Sequence, residues 1–119
     1  MNNEQIKTAL SKHRGARFYR CALQVNPFEY LKRHNKETKF KDEASYNAAI
    51  VQACIEQKIE VIAVADHYRI KSSENLINAA VAAGLIVFPG FEAVTKEGVH
   101  FLCLLDTSLS MSVVQAKIA

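Results

Sequence analysis

Seven residues in the middle of the chain, Val61-Ile62-Ala63-Val64-Ala65-Asp66-His67, restrict its fold more than any other stretch. An unbroken apolar run rich in Val and Ile reads as a strand buried on both faces. Such strands belong to parallel sheets covered by helices. Ligands of these sheets collect beyond the carboxyl ends of the strands, which is where Asp66 and His67 fall. Leu85-Ile86-Val87-Phe88 repeats the pattern and runs into Pro89-Gly90-Phe91-Glu92, while His100 opens a third apolar run, Phe101 to Leu105.

Around this centre the chain reads as alternating strands and helices. Residues 1–14 form a short polar helix or a loose arm, with Ile6, Ala9 and Leu10 on one side. Residues 15–119 form one α/β domain. Phe18 to Val25 reads as a first strand, and the basic stretch 26–42, broken by Pro27, as a loop with a helical turn near Tyr30-Leu31. Asp42 is placed to cap a helix from Glu43 to Gln57, whose residues Ala44, Ala48, Val51 and Ile55 recur at helical spacing. A strand from Glu60 to Ala65 follows. Ser72 or Ser73 then caps a helix from Glu74 to Ala83, and Gly84 supplies the left-handed residue past its end. Next come strands at 85–88, 91–95 and 99–105, the last two joined by a tight turn at Lys96-Glu97-Gly98, and a final helix from Leu109 to Ile118. Alternation of this kind implies right-handed crossovers and a mainly parallel sheet.

The bulk numbers narrow the class. A chain of 119 residues, half of them hydrophobic, can build one core but is short for a closed α/β barrel. No run of about 18 apolar residues exists, so no membrane span is expected. The first residues lack a charged-then-apolar signal pattern, and a cytoplasmic protein is the expectation. Cys21, Cys54 and Cys103 make an odd count without C-x-x-C spacing, which reads as reduced thiols. The net charge of +3 divides into +7 for residues 1–41 and −4 for residues 42–119. A basic front can meet a phosphate-bearing partner such as nucleic acid, or it can simply be a solvated surface.

Asp66 and His67 end one strand and Glu92 follows the next, so in a parallel sheet they converge on one rim. Imidazole nitrogen and carboxylate oxygen suit Zn²⁺, Mn²⁺ or Fe²⁺, and a bound metal activates water near neutral pH. Asp66, pointing away from its neighbour, would orient an imidazole from behind or anchor a loop. The plainer alternatives are a hydrogen-bonded His67, a Glu92 that caps the hairpin, and a His100 that is an ordinary strand residue. His13 and His34, in polar basic stretches, carry no signal.

Four segments taken together resemble the polymerase-and-histidinol-phosphatase (PHP) family: Gly15 to Pro27, Val64-Ala65-Asp66-His67, Phe88-Pro89-Gly90-Phe91-Glu92 and Val99 to Asp106. The nearest flavour is the PHP domain that accompanies SMC-like ATPases. The resemblance implies a distorted (β/α)7 barrel, of which this chain would be a part, and metal-dependent phosphoester hydrolysis on the carboxyl rim. It makes His67, Glu92 and His100 metal ligands and Asp66 the acid before the motif histidine. It also exposes a departure: the family's opening His-x-His falls here on Gln24-Val25-Asn26. Amide oxygens are neutral, harder donors, tolerable for Mg²⁺ or Mn²⁺ and poor for Zn²⁺. The family's later ligands belong to strands not found in this chain.

Two functional expectations follow. In the leading one the site is degenerate, holding one divalent metal (Mn, Mg or Zn) weakly or needing none, and the module acts in assembly, regulation or nucleic-acid processing. In the alternative it is an active phosphoesterase or nuclease completed by another chain, with Lys32, Arg33 and Lys36 gripping phosphate. A plain nucleic-acid-binding domain is a third, weaker candidate. An incomplete barrel exposes strand edges and apolar faces, so a homo-oligomer or a subunit of a larger complex, such as one with an SMC-like ATPase, is expected.

Overall fold

A computed structural model describes residues 2–11, 18–106 and 108–118. Helix α1 (Asn3–Ser11) is followed by β1 (Cys21–Val25), α2 (Phe28–Arg33), α3 (Glu43–Glu56), β2 (Val61–His67), a 3-10 turn (Lys71–Ser73), α4 (Glu74–Ala82), β3 (Ile86–Val94), β4 (His100–Leu104) and α5 (Met111–Ile118). The expected break between an N-terminal arm and the domain lies at residues outside those described, as does His13.

The four strands form one curled, half-barrel sheet in the order β1-β2-β3-β4. β2 pairs in parallel with β1 and β3, but β4 runs antiparallel to β3. The sheet is therefore mixed, which corrects the expectation of a mainly parallel one. The cause is local: the Thr95–Val99 turn folds β4 straight back on β3, with Thr95 N–H bonded to the Val99 carbonyl at 2.9 Å. A crossover helix would have been needed to keep the strand parallel.

On one face Ile62, Val64 and Val87 pack against Cys54 of α3 and Leu76, Ile77 and Ala80 of α4. Burying each large aliphatic side chain here stabilises the fold by about 1.5–3 kcal/mol. Asp42 caps α3 as its sequence position predicts, its carboxylate accepting from Ser45 N–H at 2.7 Å. Neither serine caps α4 through its side chain: Ser73 holds the cap position without a side-chain bond, and the Ser72 hydroxyl donates to Asp66 instead. Gly84 ends the helix with φ of +88°, as its position predicts.

Two further differences from the sequence reading bear on the site. β3 is one strand of nine residues that passes through Pro89-Gly90 rather than two separated by them. Pro89 turns its carbonyl to Leu105 N–H, just past the end of β4. Its missing N–H therefore falls on the side where the ladder is running out, not against β2. Gly90 is needed for close approach, since a Cβ there would stand 2.7 Å from the Cys103 carbonyl oxygen. The helical turn expected near Tyr30-Leu31 is there, extended into the six-residue α2, which buried Pro27 precedes as N-cap and which anchors Phe28 against Tyr46, with ring centroids 5.6 Å apart.

Candidate functional site

Parallel register sets His67 opposite Glu92, and the hairpin sets Val94 opposite His100. These pairings bring three strands' side chains to one carboxylate. His100 Nδ1 lies 2.7 Å from Glu92 Oε1, and His67 Nε2 lies 3.6 Å from Oε2. From β1, the Gln24 amide donates to the same Oε2 at 3.1 Å. Glu92 is 9% exposed. The His100 hydrogen bond is the largest influence holding its carboxyl below the ordinary range; partial burial opposes it, while the His67 and His100 charges and the Gln24 bond assist. The centre is thus an ionised carboxylate hydrogen-bonded by Gln24 and His100, with the His67 imidazole 3.6 Å away.

His67 owes its position to a strained turn. Tyr68 follows it with φ of +51°, a conformation unfavourable for a bulky side chain. The ring's hydroxyl holds it there, accepting from Val94 N–H at 2.8 Å and donating to the Val94 carbonyl at 2.9 Å. One hydroxyl thereby does what a further residue of β2 would do for β3.

A third imidazole, which the sequence reading passed over, joins the group. The Tyr30 ring stacks on His67 at 5.8 Å between centroids, and His34 lies 4.3 Å from Tyr30 and 5.7 Å from His67. Tyr30 and His34 are four residues apart, so they share a face once Phe28–Arg33 is helical. The helical turn expected near Tyr30-Leu31 is the available signal: carried on to Arg33, it sets His34 one turn from Tyr30.

The acid before His67 has a different task. Asp66 is fully buried and accepts from the Arg33 guanidinium, from Ser72 Oγ at 2.8 Å and from the His67 main-chain N–H at 2.7 Å. It anchors the loops on either side of the rim; none of these partners is an imidazole. Arg33, expected to grip phosphate, is committed to this pair. Lys32 extends over the Phe28 ring at 5.8 Å, and Lys36 is exposed. Arg69 and Lys71 instead line a cleft of about 490 Å³ with Glu29, Ser72 and Gln115, at the same end of β2.

Of the two amides Gln24 and Asn26, only Gln24 reaches Glu92. Asn26 lends its main-chain carbonyl to the Tyr46 hydroxyl at 2.8 Å, and its Oδ1 is buried without a hydrogen-bond partner. The donor set does not fit a metal ion as it stands. His67 and His100 address different oxygens of Glu92, Gln24 turns its NH2 rather than its oxygen inward, and among the described residues no group of three or more His, Cys, Asp or Glu is arranged to hold a metal. No described helix is long and apolar enough to cross a membrane. Compared with known protein families the chain matches none, and none of the curated proteins searched matches it either.

Proposed function

We propose that the chain is a PHP-like module, built on the opening strands of a (β/α)7-type barrel, whose rim site has turned from hydrolysis to binding. In this reading it acts in the cytoplasm in assembly, regulation or nucleic-acid processing beside a partner, such as an SMC-like ATPase. One observation carries the reading: both oxygens of the Glu92 carboxylate are already hydrogen-bonded, one by Gln24 and the other by His100, with His67 Nε2 3.6 Å away. A metal would have to displace the Gln24 donor and strip the His100 hydrogen bond before it could use that oxygen pair. Arg69 and Lys71 outnumber Glu29 at the adjacent cleft and supply positive charge for an anionic partner.

A second reading has its own support. His34 brings a third imidazole beside His67, so a chain donating further ligands could complete a hydrolytic metal centre. Elemental analysis after incubation with Mn²⁺, together with turnover of an aryl phosphate and of labelled DNA, separates the two. The first reading expects substoichiometric metal and no rate above the Glu92→Gln variant. Stoichiometric metal that is lost in His67→Ala, with turnover, would replace it by the second.

A further inference from the structure

The outer edge of β4 carries an inference that does not depend on what Glu92 does. Leu105 N–H bonds to the Pro89 carbonyl, and Thr95 N–H to the Val99 carbonyl. In an antiparallel ladder these two bonds set the alternation between them: Phe101 and Cys103 turn their main-chain groups to β3, and His100, Leu102 and Leu104 turn theirs outward. β4 is an edge of the sheet, so those outward N–H and C=O groups have no strand to pair with among the described residues. Side chains along the strand are apolar and open to solvent: Val99, Phe101, Leu102 and Leu104 are 51%, 53%, 38% and 39% exposed. Edge strands of proteins that stay apart are usually interrupted by Lys, Pro, a bulge or an inward charge. From Val99 to Leu105 there is no Lys, Arg, Asp, Glu or Pro, and the β3–β4 register is regular.

We propose that β4 is a self-association edge, pairing antiparallel with β4 of a second copy about a two-fold axis at Leu102. The strand is its own complement in that arrangement. Outward groups of Leu102 meet those of the partner copy's identical residue, and those of His100 meet the residue equivalent to Leu104. The two Phe101 rings become diagonal neighbours on one face. Self-complementarity points to a second copy as the occupant: with no Lys, Arg, Asp or Glu from Val99 to Leu105, the strand meets its own image in register, and His100 faces the partner copy's equivalent of Leu104 rather than another histidine. Area sets the strength. The exposed apolar side chains amount to roughly 300 Å² per copy, against about 800 Å² per partner in a standard stable interface. The dimer is therefore weak and concentration-dependent, with main-chain bonds supplying its register.

The test is sedimentation velocity from about 1 to 200 μM, paired with amide hydrogen exchange at low and high concentration. The expected result is a monomer–dimer equilibrium, with slowed exchange at His100, Leu102 and Leu104 only at high concentration. Leu102→Pro removes an outward N–H that β3 does not use, and Phe101→Lys sets two like charges on the diagonal. Each should raise the dissociation constant at least tenfold with circular dichroism unchanged. If Leu102→Pro misfolds, Phe101→Lys decides alone. A wild-type chain that remains monomeric at 200 μM overturns the proposal, as does a dimer that forms without protecting those three amides or is indifferent to Phe101→Lys.

Discussion

Replacing Arg33 by Met tests whether its guanidinium serves the fold rather than a phosphate. Asp66 has no side-chain exposure, and Arg33 retains 28% of its own. Removing one member of a fully buried ion pair costs about 3–5 kcal/mol, because the remaining charge is left in a poor solvent. Here Asp66 keeps its bonds from Ser72 and the His67 N–H, and water already reaches the arginine side. The cost should fall to about 2–3 kcal/mol, which for a domain of this size lowers the melting temperature by roughly 8–12 °C. Asp66→Asn keeps one acceptor oxygen, for the His67 N–H, and lets the Ser72 hydroxyl accept from the new NH2 and Arg33 turn to water, so it should cost less, about 1–2 kcal/mol. Combining the two should cost less than the sum, with a coupling of about 1–2 kcal/mol. Urea denaturation followed by far-ultraviolet circular dichroism measures all three. An Arg33→Met variant within about 0.5 kcal/mol of wild type would show the pair to be idle and would return Arg33 to the candidates for phosphate binding.

Three further outcomes are expected. Gly90→Ala drives a methyl to 2.7 Å from the Cys103 carbonyl oxygen, so β4 must shift; about 1–3 kcal/mol is lost, and urea melts measure it. Tyr68→Phe removes both bonds that hold the turn after His67; a loss of about 1 kcal/mol is expected, with faster exchange of the Val94 amide as the specific readout. Glu92 has a folded pKa below its ordinary 4.5. Its stabilisation is therefore fully present above that value and is lost as pH falls through the lower folded one. The stability difference between wild type and Glu92→Gln should shrink steadily below about pH 4.5; a difference that is constant from pH 6 to pH 3 would contradict the assigned contacts.

Much of the frame can be read in short stretches because short-range physics decides it. The apolar run ending in Asp66-His67 is a strand whose residues from Val61 to Asp66 are all buried. Asp42 caps a helix because its carboxylate can reach an amide three residues on, and Gly84 ends one because it tolerates a positive φ. The convergence of His67 and Glu92 follows from one assumption, parallel pairing in register. Pairing is also where local reading fails. Nothing within Pro89-Gly90 tells that the missing N–H falls on the side where the ladder is ending and that the glycine lets β4 come close, so the pair looked like a break.

What the sequence determined alone is the set of groups available at the rim: two strand-end histidines, a glutamate and the amides of Gln24 and Asn26. Tertiary structure decided what those groups do. It sent Arg33 to Asp66, folded α2 so that His34 reached His67, and turned the Gln24 amide onto Glu92. The reason is that a strand or helix forms from neighbours a few residues away, whereas a buried charge takes whichever partner the packing of distant segments sets beside it.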